Sequence, residues 1–164
     1  MGQGSDGGPG EGAWRFAAAS QDSSVPRVRH AVRDLLAAQG LAGRPPYGEL
    51  VQGLLLIVSE LVTNAVKHAA VLSPQLVVEV VIGGGWVRVA VEDSHPYRPK
   101  ALYNEQGRTG GRGLLLVKAF ALEAGGACGV ERTVNGGKVV WASLPVPVPV
   151  PTGRLALPGP AAYR

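Results

Sequence analysis

The chain has 164 residues, of which 46% are hydrophobic and 17% charged, and it contains one cysteine. This length suits one domain of ordinary size and argues against a two-domain enzyme. A single cysteine excludes an internal disulfide and a cysteine-based zinc cluster. The apolar run over residues 50–59 is closed off by Glu49 and Glu60, short of the roughly 18 residues that a membrane helix needs. We therefore expect a soluble, cytoplasmic protein without membrane contact.

The charge balance is 16 Lys and Arg against 12 Asp and Glu, a formal net charge of +4. The basic residues are scattered, with no run of five and no interleaved aromatic residues of the kind on which bases stack. Direct nucleic-acid binding is therefore not predicted. An acidic small ligand or an acidic partner accounts equally well for a modest positive charge.

Both ends of the chain are biased in composition. Residues 1–12 contain six glycines and little that could be buried, which predicts a flexible leader. From Pro145 onward, proline alternates with valine and removes the donors that a central strand requires. We expect an extended Pro-rich tail over 145–164 and a single folded domain over 13–144.

The predicted elements follow from apolar periodicity and from turn residues. In chain order they are a strand over 14–19, a helix capped by Ser23 or Ser24 and running to about Gln39, a longer helix over 48–70, a hairpin over 76–92, an irregular segment over 93–111, a helix over 112–123, and a hairpin over 127–144. Strands that arrive as adjacent hairpins favour an antiparallel sheet. The predicted fold is therefore α+β: a two-layer sandwich of a mixed, mostly antiparallel sheet with about three helices on one face.

The longer helix carries a narrow polar stripe. At about 100° per residue, Asn64 lies about 40° from Glu60, Lys67 about 20° to its other side and His68 about 80° away. The opposite half is apolar and consists of Leu54, Val58, Leu61, Val62, Ala65 and Ala69. The stripe is either a solvent face with weak surface pairs or a ligand-facing row that holds a hard cation and positions a nucleophile. The helix alone does not decide between these two interpretations.

Two further segments are candidates for ligand contact. Asp93 ends a predicted strand, where it can accept a hydrogen bond from an exocyclic amine such as that of adenine, or merely cap a turn. The glycines at 110, 111 and 113 lead into an apolar helix, whose start can bind an anion, with Arg108 or Arg112 adding charge. Alternatively, those glycines only permit a turn. Together with the polar stripe, these parts suffice to hold a magnesium nucleoside triphosphate.

These residues resemble the Bergerat-fold ATP-binding family of histidine kinases, Hsp90, type II topoisomerases and MutL. The similarity is greatest to its small bacterial branch, the anti-sigma factor serine kinases, and covers residues 14–144. The segment from Glu60 to His68, ELVTNAVKH, resembles the N box of this family. Residues 111–114, GRGL, resemble its second glycine box, with the preceding loop as the lid.

The resemblance implies roles for individual residues. Asn64 is implied as the magnesium ligand, Glu60 as the catalytic base and Asp93 as the acceptor for the adenine amine. The glycine box is implied to contact the phosphates through its amides. The candidate nucleotide-binding residues are thus Asn64, Lys67, His68, Asp93, Arg108, Gly111, Arg112, Gly113 and Leu114.

Two positions depart from the family pattern. Ser94, His95 and Pro96 follow Asp93, where the first glycine box commonly has glycines. Near the last strand, related short proteins often carry Thr after Gly-Gly-Lys, whereas here Val139 follows Lys138. If the hydroxyl makes a neutral hydrogen bond in those relatives, its loss here would cost about 1 kcal/mol in adenine affinity, and the sequence leaves that effect open.

The resemblance implies a kinase that passes the ATP γ-phosphoryl group to a serine or threonine of a STAS-type antagonist protein. Such a protein also binds a sigma factor, and homodimerisation is expected by analogy only. No histidine-phosphorylation or sensor segment is recognised, so a complete histidine kinase is not expected. The alternatives are a non-catalytic module that binds a protein in response to nucleotide, and a purely structural interaction domain.

Overall fold

The computed structural model describes residues 9–69, 74–94 and 112–148, without the side chains of His68, Ala69 and Arg112. Within these ranges a five-stranded sheet is covered on one face by three α-helices, which confirms the predicted α+β fold. The elements are β1 (Gly12–Ala19), α1 (Ser24–Ala38), a 3-10 helix (Pro45–Tyr47), α2 (Gly48–Ala69), β2 (Gln75–Gly83), β3 (Trp86–Asp93), α3 (Arg112–Glu123), β4 (Ala127–Arg132) and β5 (Lys138–Pro145).

The strand order in the sheet is β1-β2-β3-β5-β4, and each neighbouring pair is antiparallel. The β2–β3 hairpin turns at Gly84 and Gly85, which have φ of 59° and 80°. Side chains rarely adopt this left-handed backbone, so a tight hairpin turn here favours glycine. Strand β5 lies between β3 and β4 and is antiparallel to β3. The first residue of β5, Lys138, therefore lies beside the last residue of β3, Asp93.

The core lies between the sheet and the helices. Alternate residues of the strands face the helices and are buried, as the period of two in a strand requires. Helix α2 packs on β3 and on both other helices. Its predicted apolar face is buried at Leu54, Val58, Leu61, Val62 and Ala65. Each such side chain contributes roughly 1.5–3 kcal/mol by leaving water, so the core fixes which face of α2 remains accessible.

One segment over Pro45–Lys67 is long and apolar enough to cross a membrane, with a mean hydropathy of 1.5. The sequence analysis had expected no such segment, because it counted only the uncharged run within it. Of the apolar 18-residue window within this segment, 67% is buried inside the fold. A buried core helix meets the same criterion, so the segment is weak grounds for a membrane span.

Several boundaries differ from the prediction. Strand β1 begins at Gly12, and Pro145 ends β5 opposite Trp86, so the sheet extends one residue beyond 13–144 at each end. A proline is tolerated there because the last residue of a strand need not donate to the ladder. Helix α1 begins after Ser23, whose side chain makes no capping hydrogen bond because its backbone is already helical, with φ −64° and ψ −15°. The division into leader, domain and tail stays a prediction.

The face of the sheet away from the helices carries a ladder of charges. Arg15 pairs with Glu92 at 2.6 Å and with Glu79 at 3.5 Å. Arg88 pairs with Glu79 at 3.6 Å and with Glu131 at 3.5 Å, and its guanidinium lies 5.2 Å from the ring centre of Trp141. Such exposed pairs contribute little stability each, so the ladder matters mainly for the charge that this face presents.

Candidate nucleotide-binding site

The polar stripe of α2 lies at the edge of the buried layer. Glu60 and Asn64 are half-buried, whereas Lys67, one turn further on, is exposed. Leu61 and Ala65, next to them in sequence, are fully buried. The polar side chains therefore border the core at the place where α2 meets its neighbours, and the contacts of Glu60 show what it faces.

The carboxylate of Glu60 lies directly against the start of α3. A Cβ atom built on Gly113 would collide with Oε2 of Glu60, so a glycine is needed here for close approach. Leu114, the next residue, is buried and anchors this turn in the core. The first amides of a helix lack intrahelical partners and carry a partial positive charge, which suits phosphate. The structure thus brings the predicted base and the predicted phosphate-binding turn together.

Asp93 ends β3 with its side chain 1% exposed, on the face of the sheet that carries the helices. It pairs with Lys138, whose Nζ lies 3.2 Å from both Oδ1 and Oδ2. The side chain of Lys138 is likewise 1% exposed. Burying an unpaired carboxylate would be costly, so the lysine supplies the counter-charge that makes this position tenable.

The turn before β5 fixes this pair. The two residues lie directly opposite each other in the β3–β5 ladder. A Cβ on Gly137 would collide with the carbonyl oxygen of Asp93 and come within 2.9 Å of the Cα of Ser94. Only a glycine allows this approach, so the turn backbone presses against the end of β3 and delivers Lys138 to Asp93.

The side chain of Val139 lies on the face of the sheet opposite to Asp93. Successive side chains of a strand point to opposite faces. Lys138 is buried on the helix side, whereas Val139 lines a shallow depression on the open face beside Arg15 and Glu79. The side chain at position 139 thus points away from Asp93, and the effect of Val139 on adenine affinity stays a prediction. The residue that does touch Asp93, Lys138, was missed by the sequence analysis.

Some predicted site residues fall outside this description. Arg108 and Gly111 lie outside the described residues, and the side chains of His68 and Arg112 are not described. Among the residues that the structure does describe, two contacts involve predicted site residues: Glu60 with Gly113, and Asp93 with Lys138. Gly113 lies on α3 and Asp93 on β3, and both elements pack on α2, which carries Glu60.

Magnesium is tested by the donors that are present. No group of three or more His, Cys, Asp or Glu residues that could cage a metal occurs in the described part of the chain. Mg²⁺ usually keeps several waters and takes one or two protein oxygens together with substrate phosphates. The half-buried amide of Asn64, one turn after Glu60, fits such a partial donor set.

A cavity of about 930 Å³ among the described residues lies elsewhere. It is lined by the first half of α2 and the end of α3, including Gly53 and Phe120, with Pro145 from β5. Glu60 and Gly113 belong to the second half of α2 and to the start of α3. The cavity is therefore separate from the candidate site.

Comparison with known proteins identifies the family. The sequence profile of the histidine kinase-, DNA gyrase B- and HSP90-like ATPases matches residues 49–148. The chain belongs to this family of ATPases, and it is an ATP-binding, histidine-kinase-like domain. No curated protein matches the sequence significantly.

Solved structures agree in fold. The catalytic domain of the histidine kinase ThkA is 17% identical with a TM-score of 0.50, and the match covers 81% of this chain and 97% of that one. The ATP-binding domain of PrrB from Mycobacterium tuberculosis is 21% identical with a TM-score of 0.49, covering 82% and 98%. The histidine kinase domain of the blue-light-activated kinase from Erythrobacter litoralis EL346 is 23% identical with a TM-score of 0.49, covering 76% of this chain and 60% of its own. Of these three, ThkA alone reaches a TM-score of 0.50, and at 17% identity its likeness shows the fold alone.

Proposed function

We propose that this domain is an anti-sigma factor serine/threonine kinase that transfers the γ-phosphoryl group of ATP to a hydroxyl group of a STAS-type antagonist protein. The observation that carries the proposal is the contact of Glu60 with Gly113, because it joins a carboxylate to the start of an anion-binding helix. Membership of the ATPase family supports nucleotide binding at the site that contains Glu60, Asn64 and Gly113.

The chemistry requires a proton acceptor beside the phosphate. As the hydroxyl oxygen of the acceptor serine or threonine bonds to the γ-phosphorus, the bond to the bridging oxygen of ADP breaks and the hydroxyl proton passes to Glu60. The amides at the start of α3, near Gly113, bind phosphate oxygens and hold the chain of phosphates in place. Asn64 would hold magnesium, which when bound neutralises charge on the phosphates.

The regulatory part of the proposal concerns two partners. The domain would bind a sigma factor and lose it when the unphosphorylated antagonist displaces it. Phosphorylation of the antagonist by this domain would remove its ability to do so. This cycle is taken from the resemblance of the Glu60–His68 and 111–114 segments, as is the expectation of a homodimer.

The kinase activity is tested by replacing the base. We expect Glu60→Gln to bind ATP within about twofold of the wild type while transfer of labelled γ-phosphate to a STAS-domain acceptor falls at least about 100-fold. Glu49→Gln is the matched control, because Glu49 is an exposed carboxylate on the same helix. It should leave both binding and transfer unchanged.

The two alternatives give different results. Undiminished transfer by Glu60→Gln would contradict the role of Glu60 as base. A wild type that binds ATP but labels no STAS acceptor would favour the non-catalytic module. Absence of any rise in melting temperature at millimolar Mg-ATP would favour a structural interaction domain.

A further inference from the structure

A buried ion pair stands where the base of the nucleotide is expected. Asp93 and Lys138 are each 1% exposed, and Nζ lies 3.2 Å from both carboxylate oxygens. Lys138 is among the largest fully buried side chains of the described residues. A lysine is almost never buried to this degree unless it is paired, so its position beside Asp93 calls for an explanation.

Stability does not explain the lysine. Removing two charges from water costs several kcal/mol per ion, and a well-packed apolar pair of similar volume is often as stable or more stable. The other residues of β5 on this face, Val140, Ala142 and Leu144, are apolar and buried. The chain thus places an ion pair at one end of an otherwise apolar row, at the position predicted to meet the adenine.

We propose that Lys138 is a positioning residue that fixes the Asp93 carboxylate as a hydrogen-bond acceptor and thereby sets the preference for 6-aminopurine over 6-oxopurine nucleotides. This inference rests on the proposed nucleotide binding at Asp93. An ionised carboxylate only accepts hydrogen bonds, whereas a protonated one also donates. The lysine, bridging both oxygens, restricts rotation of the carboxylate.

The consequence is discrimination at position 6 of the purine. The 6-amino group of ATP donates to an acceptor and is therefore matched by Asp93. The 6-oxo group of ITP is itself an acceptor, so it forms no hydrogen bond with the carboxylate. A site whose buried polar group is left unpaired by the wrong substrate discriminates far more strongly than an apolar pocket does.

The experiment compares the affinities of ATP and ITP by calorimetric titration, for the wild type and for Lys138→Met, which has a similar length but no charge. We expect the wild type to prefer ATP, and this preference to fall about tenfold or more in Lys138→Met, the range of a hydrogen bond to a charged group. Tripolyphosphate, which lacks the base, should bind both proteins alike. Lys118→Met, a half-buried lysine of α3 near Cys128, is the matched control and should keep the wild-type preference.

The outcomes separate this inference from the proposed function. An unchanged ATP-over-ITP ratio in folded Lys138→Met overturns the role of Lys138 and leaves nucleotide binding intact. A wild type that binds neither ATP nor tripolyphosphate overturns both.

Lys138→Met removes the counter-charge of the buried Asp93 carboxylate, so a second pair of variants covers a failure to fold. In an Asp93→Asn background the lysine has no carboxylate to hold. Adding Lys138→Met to that background should then change the ATP-over-ITP ratio less than about twofold, since the two effects are coupled. A tenfold change there would mean that Lys138 meets the base directly, and would refute the positioning role.

Discussion

A methyl group added at Gly113 tests whether Glu60 must lie against the start of α3. In Gly113→Ala the new Cβ would occupy the position of Oε2 of Glu60. The obstructing atom is the end of a flexible side chain, so the carboxylate can rotate away while α3 stays in place. The variant therefore displaces the proposed base without removing it.

The expected changes in stability and in activity differ in size. Replacing glycine by alanine within a helix gains about 0.5–1 kcal/mol, and forcing a side chain off its rotamer costs about 0.5–1.5 kcal/mol. The free energy of unfolding should therefore change by no more than about 1 kcal/mol. A displacement of about 1 Å in a catalytic group can cost about 100-fold in rate, so phosphoryl transfer should fall by that factor.

The assay measures three quantities on the same protein: urea unfolding, ATP affinity, and transfer of γ-phosphate. Gly48→Ala is the control, because Gly48 also lies at a helix start and a Cβ there meets nothing within 4 Å. It should leave transfer unchanged. Adding Glu60→Asp to Gly113→Ala shortens the acidic side chain and should recover part of the lost transfer. Wild-type transfer by Gly113→Ala at wild-type ATP affinity would refute the reasoning.

Three other expectations concern metal binding, packing and the thiol. Asn64→Ala should reduce ATP affinity in magnesium to the value measured without magnesium, by calorimetry; a full magnesium effect in the variant would exclude Asn64 as the ligand. Gly53→Ala should lower the free energy of unfolding by about 1–3 kcal/mol, because a Cβ there would enter the ring of Phe120; an unchanged urea midpoint would contradict this packing of α2 on α3. Burial raises the pKa of Cys128, so its alkylation by iodoacetamide should have a pH midpoint above the free-thiol value of about 8.5. The contribution of the thiol to the free energy of unfolding should be lost as the pH rises past that value. A midpoint at or below the free-thiol value would contradict burial of this thiol.

The parts of the fold that depend on local pattern were predictable from the sequence. The bounds of α3 and the start of α2 follow from apolar periodicity and neighbouring glycines, and the structure has α2 over Gly48–Ala69 and α3 over Arg112–Glu123. The stripe with Glu60 and Asn64 followed from the same periodicity. Only its meaning was open, because a helix drawn alone does not show that Glu60 meets Gly113.

The parts that depend on strand order were not predictable from local pattern. Lys138 reaches Asp93 because β5 pairs with β3 as well as with β4, a contact between residues 45 positions apart. A hairpin pattern reveals the β4–β5 pairing but gives no sign of the β3–β5 register. For the same reason the sequence did not show that Lys138, and not Val139, faces the helices, since the face that each residue of β5 takes depends on that register.

The charge ladder on the helix-free side of the sheet has a consequence for polyanions. Two guanidinium groups there, Arg15 and Arg88, are each engaged by carboxylates, and three glutamates share the surface with them. The positive excess of the chain is therefore not displayed on this flat expanse. A nucleic-acid strand laid across it would meet three carboxylates and two guanidinium groups that are already paired. We therefore expect this face to disfavour a polyanion despite the net positive charge of the chain.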